Sequence, residues 1–193
     1  MNWDRYNMKT RCWGDSDKLM QDYHDSEWGV PLHDDYKLFE FLILDSFQAG
    51  LSWRTILHKR NNFREAFDDF DFEKIAHYSE AKLESLRENK GIIRNRLKIY
   101  ATRSNAKSFT VIREKFGSFD QYIWNFVNHK PIQNRWTSFD EIPAKTNLSA
   151  KISKDLKKYG FKFIGPTIIY AYMQAIGIVN DHLTHCFRYN ELS

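Results

Sequence analysis

Along most of this chain apolar residues recur three or four positions apart, and nowhere do they alternate with period two for long, so the pattern predicts an all-α fold. Asp34 is placed to cap a helix carrying Leu38, Phe39, Leu42 and Ile43, closed by Gly50. Ser52 caps the next, with Trp53, Ile56, Leu57 and Phe63 on its apolar face. Ser79 starts a third, with Leu83 and Leu86. A long basic amphipathic stretch runs from about Ile93 to Phe116 and stops at Gly117. Helix resumes at Ser118 through Trp124 and Val127. Residues 129–148 contain Pro131 and Pro143 and read as an irregular excursion. Ser149 caps a helix that ends at Gly160, and Pro166 fits the first turn of another that runs to Gly177.

Length and composition narrow this further. A chain of 193 residues suits one domain, with residues 1–10 as a loose N-terminal extension, and it buries enough surface to hold a core without disulfides. The N-terminal segment has no apolar run of the kind a signal peptide needs. The longest apolar stretch, Phe39 to Leu44, is interrupted by Glu40 and is too short to span a bilayer. These features predict a soluble, cytoplasmic protein with no membrane contact.

The net charge of +4 is mild but unevenly spread. Residues 15–45 hold nine acids against two bases, residues 89–116 eight bases against one acid, and residues 145–162 six bases against one acid. Two basic tracts form an electrostatic footprint for a polyanion such as nucleic acid, or else solvated helix faces. The acidic tract reads as helix caps and surface, or as a pocket for something cationic. Its neighbourhood is rich in Trp and Tyr, which suits stacking.

Three groups of residues carry candidate chemistry. Cys12 and His24 near one end, with His182 and Cys186 near the other, make up a ligand set for a closed tetrahedral zinc site. His182 and Cys186, four apart, would share a face of a helical turn, whereas Cys12 and His24 need a loop to meet. Two buried free cysteines beside unrelated histidines fit the same spacing. His185 is a competitor for His182 but points to a different face.

The second group is the segment from Leu156 to Pro166. A short glycine-bounded turn between Gly160 and Gly165 would present the next helix's first N–H groups to a phosphate. Phe161, Phe163 and Ile164 would pack inward and Lys162 outward. Such a helix-hairpin-helix grips a nucleic-acid backbone without reading sequence. An ordinary helical hairpin is the competing reading.

The third group surrounds Asp45, near a helix end, followed by a glycine turn, Leu51 and Trp53. Tyr23 and Trp28 add aromatic groups nearby in sequence. Core packing for the aromatics and a capping role for the acid are the alternatives.

Taken together, CWGDSD, YHDSEWGVP, LFEFLILDSFQAGLSW, GIIRNRLKI, FVNHKP, GFKFIGPTIIYAYMQAIGIVNDH and the final Cys186 closely resemble the DNA-3-methyladenine glycosylase I family, the constitutive branch of the helix-hairpin-helix glycosylases. The resemblance covers about residues 11–187, with its segments in family order. It implies a structural Zn2+ held by Cys12, His24, His182 and Cys186. It also implies a base pocket in which Tyr23 and Trp53 contact the excised base and Trp28 forms a wall. Family members usually carry Glu at the pocket carboxylate. Here it is Asp45, one methylene shorter, which withdraws the oxygens by about 1.5 Å.

The implied activity is hydrolysis of the N-glycosidic bond of 3-methyladenine in alkylated double-stranded DNA, releasing the free base and leaving an abasic site. The implied enzyme is monomeric. A duplex base must first be extruded into a pocket. Gly160, Lys162 and Gly165 of the hairpin, with the basic tracts, would hold phosphates, and Leu51 or its neighbours in the Gln48–Ser52 turn would fill the gap in the stack. Asp45 is the candidate catalytic group, and no lysine motif for a Schiff base accompanies the hairpin. The competing classes are a non-catalytic, zinc-containing helix-hairpin-helix DNA-binding module and a zinc-stapled protein-interaction domain.

Overall fold

The computed structural model describes residues 9–15 and 17–193. The all-α expectation holds. Eleven α-helices among these residues are joined by short 3-10 turns, with a single pair of two-residue strands. No helix among the described residues is long and apolar enough to cross a membrane.

The central element is α2 (Asp35–Gln48), in which every residue from Leu38 to Phe47 is buried. A helix apolar on all sides must be enclosed on all sides. Packed against α2 are α3 (Trp53–His58), α7 (Arg96–Phe116), α8 (Phe119–Trp124) and α10 (Pro166–Ala175). Phe39, Phe72, Phe109 and Phe119 stack or meet edge to face through this centre.

Local capping explains where the helices start. Side-chain oxygens of Asp34, Ser52, Ser79 and Ser118 accept from the amides of Lys37, Thr55, Lys82 and Gln121, each satisfying one donor that the helix cannot. Asn95 caps α7 in the same way, so this helix begins at Arg96 rather than Ile93. Ser149 is not a cap. It sits at the third helical position of α9 (Asn147–Lys158), exchanging hydrogen bonds with the true cap, Thr146. The helix expected from Ser52 through Phe63 breaks at Lys59, and Phe63 belongs to α4 (Arg60–Ala66).

The excursion at 129–148 contains β1 (Ile132–Gln133), which pairs in parallel with β2 (Val179–Asn180), and a 3-10 turn at Phe139–Glu141. Gly177 (φ +73°) follows α10, where a Cβ would lie 2.4 Å from the backbone of Val30 and Pro31. Only glycine fits there, and this close approach brings the segment after α10 beside residues 29–31.

Residues 1–8 of the expected N-terminal extension lie outside the described residues. Residues 9 and 10 are tied down: the Thr10 carbonyl accepts from Phe187 N at 3.0 Å, and Lys9 lies over the Phe187 ring.

Candidate active site and metal centre

The acidic tract between residues 15 and 45 resolves into groups with structural partners and one without. Asp17 caps α1 (Lys18–Ser26) and pairs with Arg54. Asp35 binds Arg113 and the amides of Phe119 and Asp120. Buried Glu40 accepts from Arg60 Nε at 2.6 Å and Arg64 Nε at 2.9 Å, and Arg60 also reaches Glu27. Asp45 has no such support. It is 2% exposed, and its Oδ2 is buried with no hydrogen-bond partner.

Burial pushes the Asp45 carboxyl well above the usual carboxylate range. Its place in the last turn of α2, at the negative end of the helix dipole, opposes its ionisation further. The indole Nε1 of Trp53 is likewise buried and unpartnered.

Both residues line one cavity of about 190 Å³. That is below the roughly 300–1,000 Å³ of pockets that enclose drug-sized ligands, so the space suits a single flat ring system. Tyr23, Trp13, Trp28 and Met20 form its walls on one side, and Ala171, Gln174 and Ala175 of α10 close the other. Trp53 lies 5.1 Å from Tyr23, ring centre to ring centre, and stacks at 22° on Phe41. Tyr23 is buried, and its phenol is held well above its ordinary pKa by burial and then by the Asp45 charge. The structure thus brings Tyr23, Trp28, Asp45 and Trp53 to one cavity. Trp13, Met20, Gln48 and Gln174 also line it, and the sequence reading did not single them out.

Directly behind Tyr23, four potential metal donors converge. Cys12 Sγ, His24 Nε2, His182 Nδ1 and Cys186 Sγ all lie within 4.8 Å of one another. The four sulfur–nitrogen separations are 3.4, 3.7, 3.4 and 3.5 Å. A tetrahedral zinc, with bonds of about 2.3 Å to sulfur and about 2.05 Å to nitrogen, would set these edges at about 3.6 Å.

The remaining ring nitrogens are also committed. His24 Nδ1 bonds Asp25, itself held by Arg11, and His182 Nε2 bonds the Trp28 carbonyl at 3.0 Å. Such outer partners fix tautomer and ring orientation around a bound metal. The residues therefore fit a metal ion, with no fifth protein donor needed. His182 and Cys186 meet across a non-helical turn, not along a helix, with Cys186 N bonded to the Leu183 carbonyl. His185 is exposed and outside the cluster. Trp13 and Trp28 pack edge-on against the histidines and also wall the cavity, so the cluster and the cavity share two side chains.

The hairpin joins α9 to α10. Gly160 takes φ +94°, Phe161 and Ile164 are buried, and Lys162 is exposed. Phe163 departs from expectation: it is 36% exposed with φ +56°. Asn105 of α7 explains this, because it clamps both the amide and the carbonyl of Lys162, and the next side chain is turned outward. Gly165 precedes Pro166 at the start of α10, and a Cβ there would meet nothing within 4 Å. Leu51 is 41% exposed on the turn after α2. Lys98 supports that turn from below, donating to the carbonyls of Phe47 and Ala49, and burial lowers its pKa.

The basic tract of α7 is in part scaffold. Of its bases, Lys98, Arg103 and Arg113 bond within the protein.

Helices around a buried central helix, a glycine-bounded hairpin and a cavity beside a Cys2His2 cluster define a helix-hairpin-helix protein with a small-ring pocket. The chain belongs to the methyladenine glycosylase family, whose profile matches residues 13–189. It is 47% identical over 180 residues to the DNA-3-methyladenine glycosylase of Haemophilus influenzae, covering 93% of this chain and 97% of that one. It is equally 47% identical to DNA-3-methyladenine glycosylase 1 of Escherichia coli, covering 93% and 96%. A crystal structure of 3-methyladenine DNA glycosylase I superposes with a TM-score of 0.90 at 48% identity, over 92% of this chain and 98% of that one. A variant of such an enzyme, solved in complex with 3-methyladenine, gives 0.90 at 36% identity over 93% and 97%.

Proposed function

We propose that this protein is a monofunctional DNA glycosylase that hydrolyses the N-glycosidic bond of 3-methyladenine in alkylated double-stranded DNA, leaving an abasic site. The observation that carries the reading is the buried, unpartnered Asp45 carboxylate in an aromatic cavity sized for one base. A natural protein seldom leaves such a group bare unless a ligand completes it.

The chemistry follows from charge. Methylation at N3 makes the adenine base cationic while it is attached to the sugar. A cation restores the ionised form of Asp45 and is attracted to the faces of Trp53 and Tyr23. A neutral adenine gains neither, so damage is selected by charge. The cationic base is already a good leaving group, and the protein need supply little acid catalysis. Asp45 accepts from the exocyclic amine or stabilises positive charge developing on the sugar. Water attacks C1′, the C1′–N9 bond breaks, the bonding pair leaves with the base and makes it neutral, and the surplus proton of the water passes to solvent.

The duplex is held by backbone contacts. Gly160, Lys162 and Gly165 present the hairpin to phosphates, and Leu51 fills the space vacated by the extruded base. Trp28 forms the outer wall of the pocket. Cys12, His24, His182 and Cys186 would hold a zinc ion. With four protein donors it would offer no position to activate water and would serve as a clasp. The enzyme acts as a monomer in the cytoplasm.

The test is incubation of the metal-loaded protein with methylated duplex DNA and chromatographic detection of released bases. Free 3-methyladenine with intact, alkali-labile strands is expected. Salt-sensitive DNA binding without base release would point instead to a non-catalytic module. Asp45→Glu, which restores the side-chain length usual in the family, is expected to retain excision.

A further inference from the structure

One buried carboxylate lies outside the mechanism above. Asp181 is 1% exposed and accepts four hydrogen bonds. Its Oδ1 takes Asn134 Nδ2 at 2.6 Å and Trp136 Nε1 at 2.8 Å. Its Oδ2 takes the Tyr170 hydroxyl at 2.7 Å and Gln174 Nε2 at 2.8 Å. Gln174 lines the cavity that holds Asp45.

Asp181 accepts on both oxygens, so it fixes which end of the Gln174 amide faces it. The nitrogen is committed to Asp181. The carbonyl Oε1 accepts from no described residue, on a side chain that borders the cavity. The backbone is held as well, since the Gln174 carbonyl oxygen accepts from Gly29 N at 3.0 Å.

We propose that Gln174 is a specificity residue for the exocyclic group of the base and that Asp181 is the positioning residue that keeps its carbonyl turned to the pocket. This rests on the reading of the cavity as a base pocket. An adenine-type base offers an amine at its six-position, which donates to Oε1. A guanine-type base offers an oxygen there, which meets Oε1 acceptor to acceptor. The pair Gln174–Asp181 therefore favours 3-methyladenine over 3-methylguanine, two bases that carry the same methyl group and the same positive charge in DNA. Charge selects damaged from normal, and the locked amide selects between damaged purines.

Asp181→Asn tests the lock with little change of shape. Trp136 Nε1 can only donate, so it holds the new amide's oxygen on its own side. The new NH2 then faces Gln174, whose amide must turn over to accept from it. That puts an N–H toward the cavity in place of the carbonyl. Gln174→Leu removes the group altogether.

The readout is the ratio of 3-methyladenine to 3-methylguanine, measured as excision from methylated duplex DNA and separately as binding of the two free bases by quenching of tryptophan fluorescence. Wild type is expected to favour 3-methyladenine. Asp181→Asn is expected to lower that ratio about tenfold or more, the effect of one buried polar mismatch. Gln174→Leu is expected to lower it too, and adding Asp181→Asn to Gln174→Leu to change it no further. Metal content and melting temperature are measured alongside, because Asp181 adjoins His182, and a purely structural role would lower both rates together without moving the ratio.

Unchanged ratios in both single variants would overturn the proposal, as would a wild type that binds neither base. A wild type that binds with the expected preference but excises nothing would sink the glycosylase reading while leaving the Gln174 assignment standing.

Discussion

Two buried carboxylates sit five residues apart on the same helix, and they are treated in opposite ways. Glu40, in the first half of α2, is 6% exposed and bonded by two arginines. Asp45, in the last turn, is 2% exposed, and its Oδ2 is bonded by nothing. The first is a finished structural element. The second is a group whose partner is not part of the fold. A site for a cationic ligand can be recognised by that difference more securely than by the number of acids in the surrounding sequence, since the other acids of that tract discussed above have structural partners.

The same contrast separates the cavity from the cluster behind it. The two histidines of the cluster have both ring nitrogens committed, whereas the pocket leaves Asp45 Oδ2 and Trp53 Nε1 free.

The largest expected effect comes from the finished side. If zinc fills the Cys2His2 cluster as proposed, removing it with a chelator opens a loop of about 170 residues and is expected to cost on the order of 5 kcal/mol, a melting point lower by roughly 10–20 °C. Base release should fall with it, because Trp13 and Trp28 serve both sites. Calorimetry and excision assays on the chelated protein check this, and a chelated protein with unchanged melting and activity would undo the link. Next is Glu40→Gln, which removes the buried negative charge that Arg60 and Arg64 share and leaves them only an amide oxygen. A loss of about 3 kcal/mol is expected by denaturant titration, with little change in excision per folded molecule.

The bare side is expected to respond with the opposite sign. The folded-state pKa of Asp45 is raised by burial, so the native state holds a proton that the unfolded chain releases near pH 4. The Asp45 contribution to stability is therefore full below that pH and falls as pH rises towards the folded value. Melting curves of wild type and Asp45→Asn over this window should show a decline in the first that is absent from the second. Smallest is Lys162→Ala. If the exposed Lys162 contacts a phosphate, this variant weakens DNA binding by about 1 kcal/mol or less and reduces the salt slope by about one ion.

Local signals were legible in the sequence, and long-range ones were not. Asp34, Ser52, Ser79 and Ser118 each cap the helix that their spacing predicts, because capping is decided within four residues. Ser149 resembles a cap in sequence, but Thr146, three residues earlier, takes that place and forms a reciprocal box with it. α1 and α5 (Phe72–Ala76) are too short to be stable as isolated helices, and packing holds them helical. Phe163 was expected inside because it is apolar. The clamp by Asn105 that turns it out spans 57 residues of chain. The four metal donors were legible as residue types at suitable spacings, and their convergence depends on the whole fold. Gln174 and Asp181 gave no signal beyond lying in the segment before His182, since what distinguishes them is which atom of each faces the other.

The most direct test of the contrast on α2 is one variant read two ways. Asp45→Asn keeps the shape of the side chain and removes its charge. At neutral pH its melting temperature is expected to rise by a few degrees, because the variant is spared the loss of stability that a buried carboxyl of raised pKa suffers as pH climbs above the unfolded-state value, while release of 3-methyladenine from methylated DNA falls about a hundredfold. A variant that excises 3-methyladenine at the wild-type rate, with stability unchanged, would contradict the assignment of Asp45 as the group kept bare for the base.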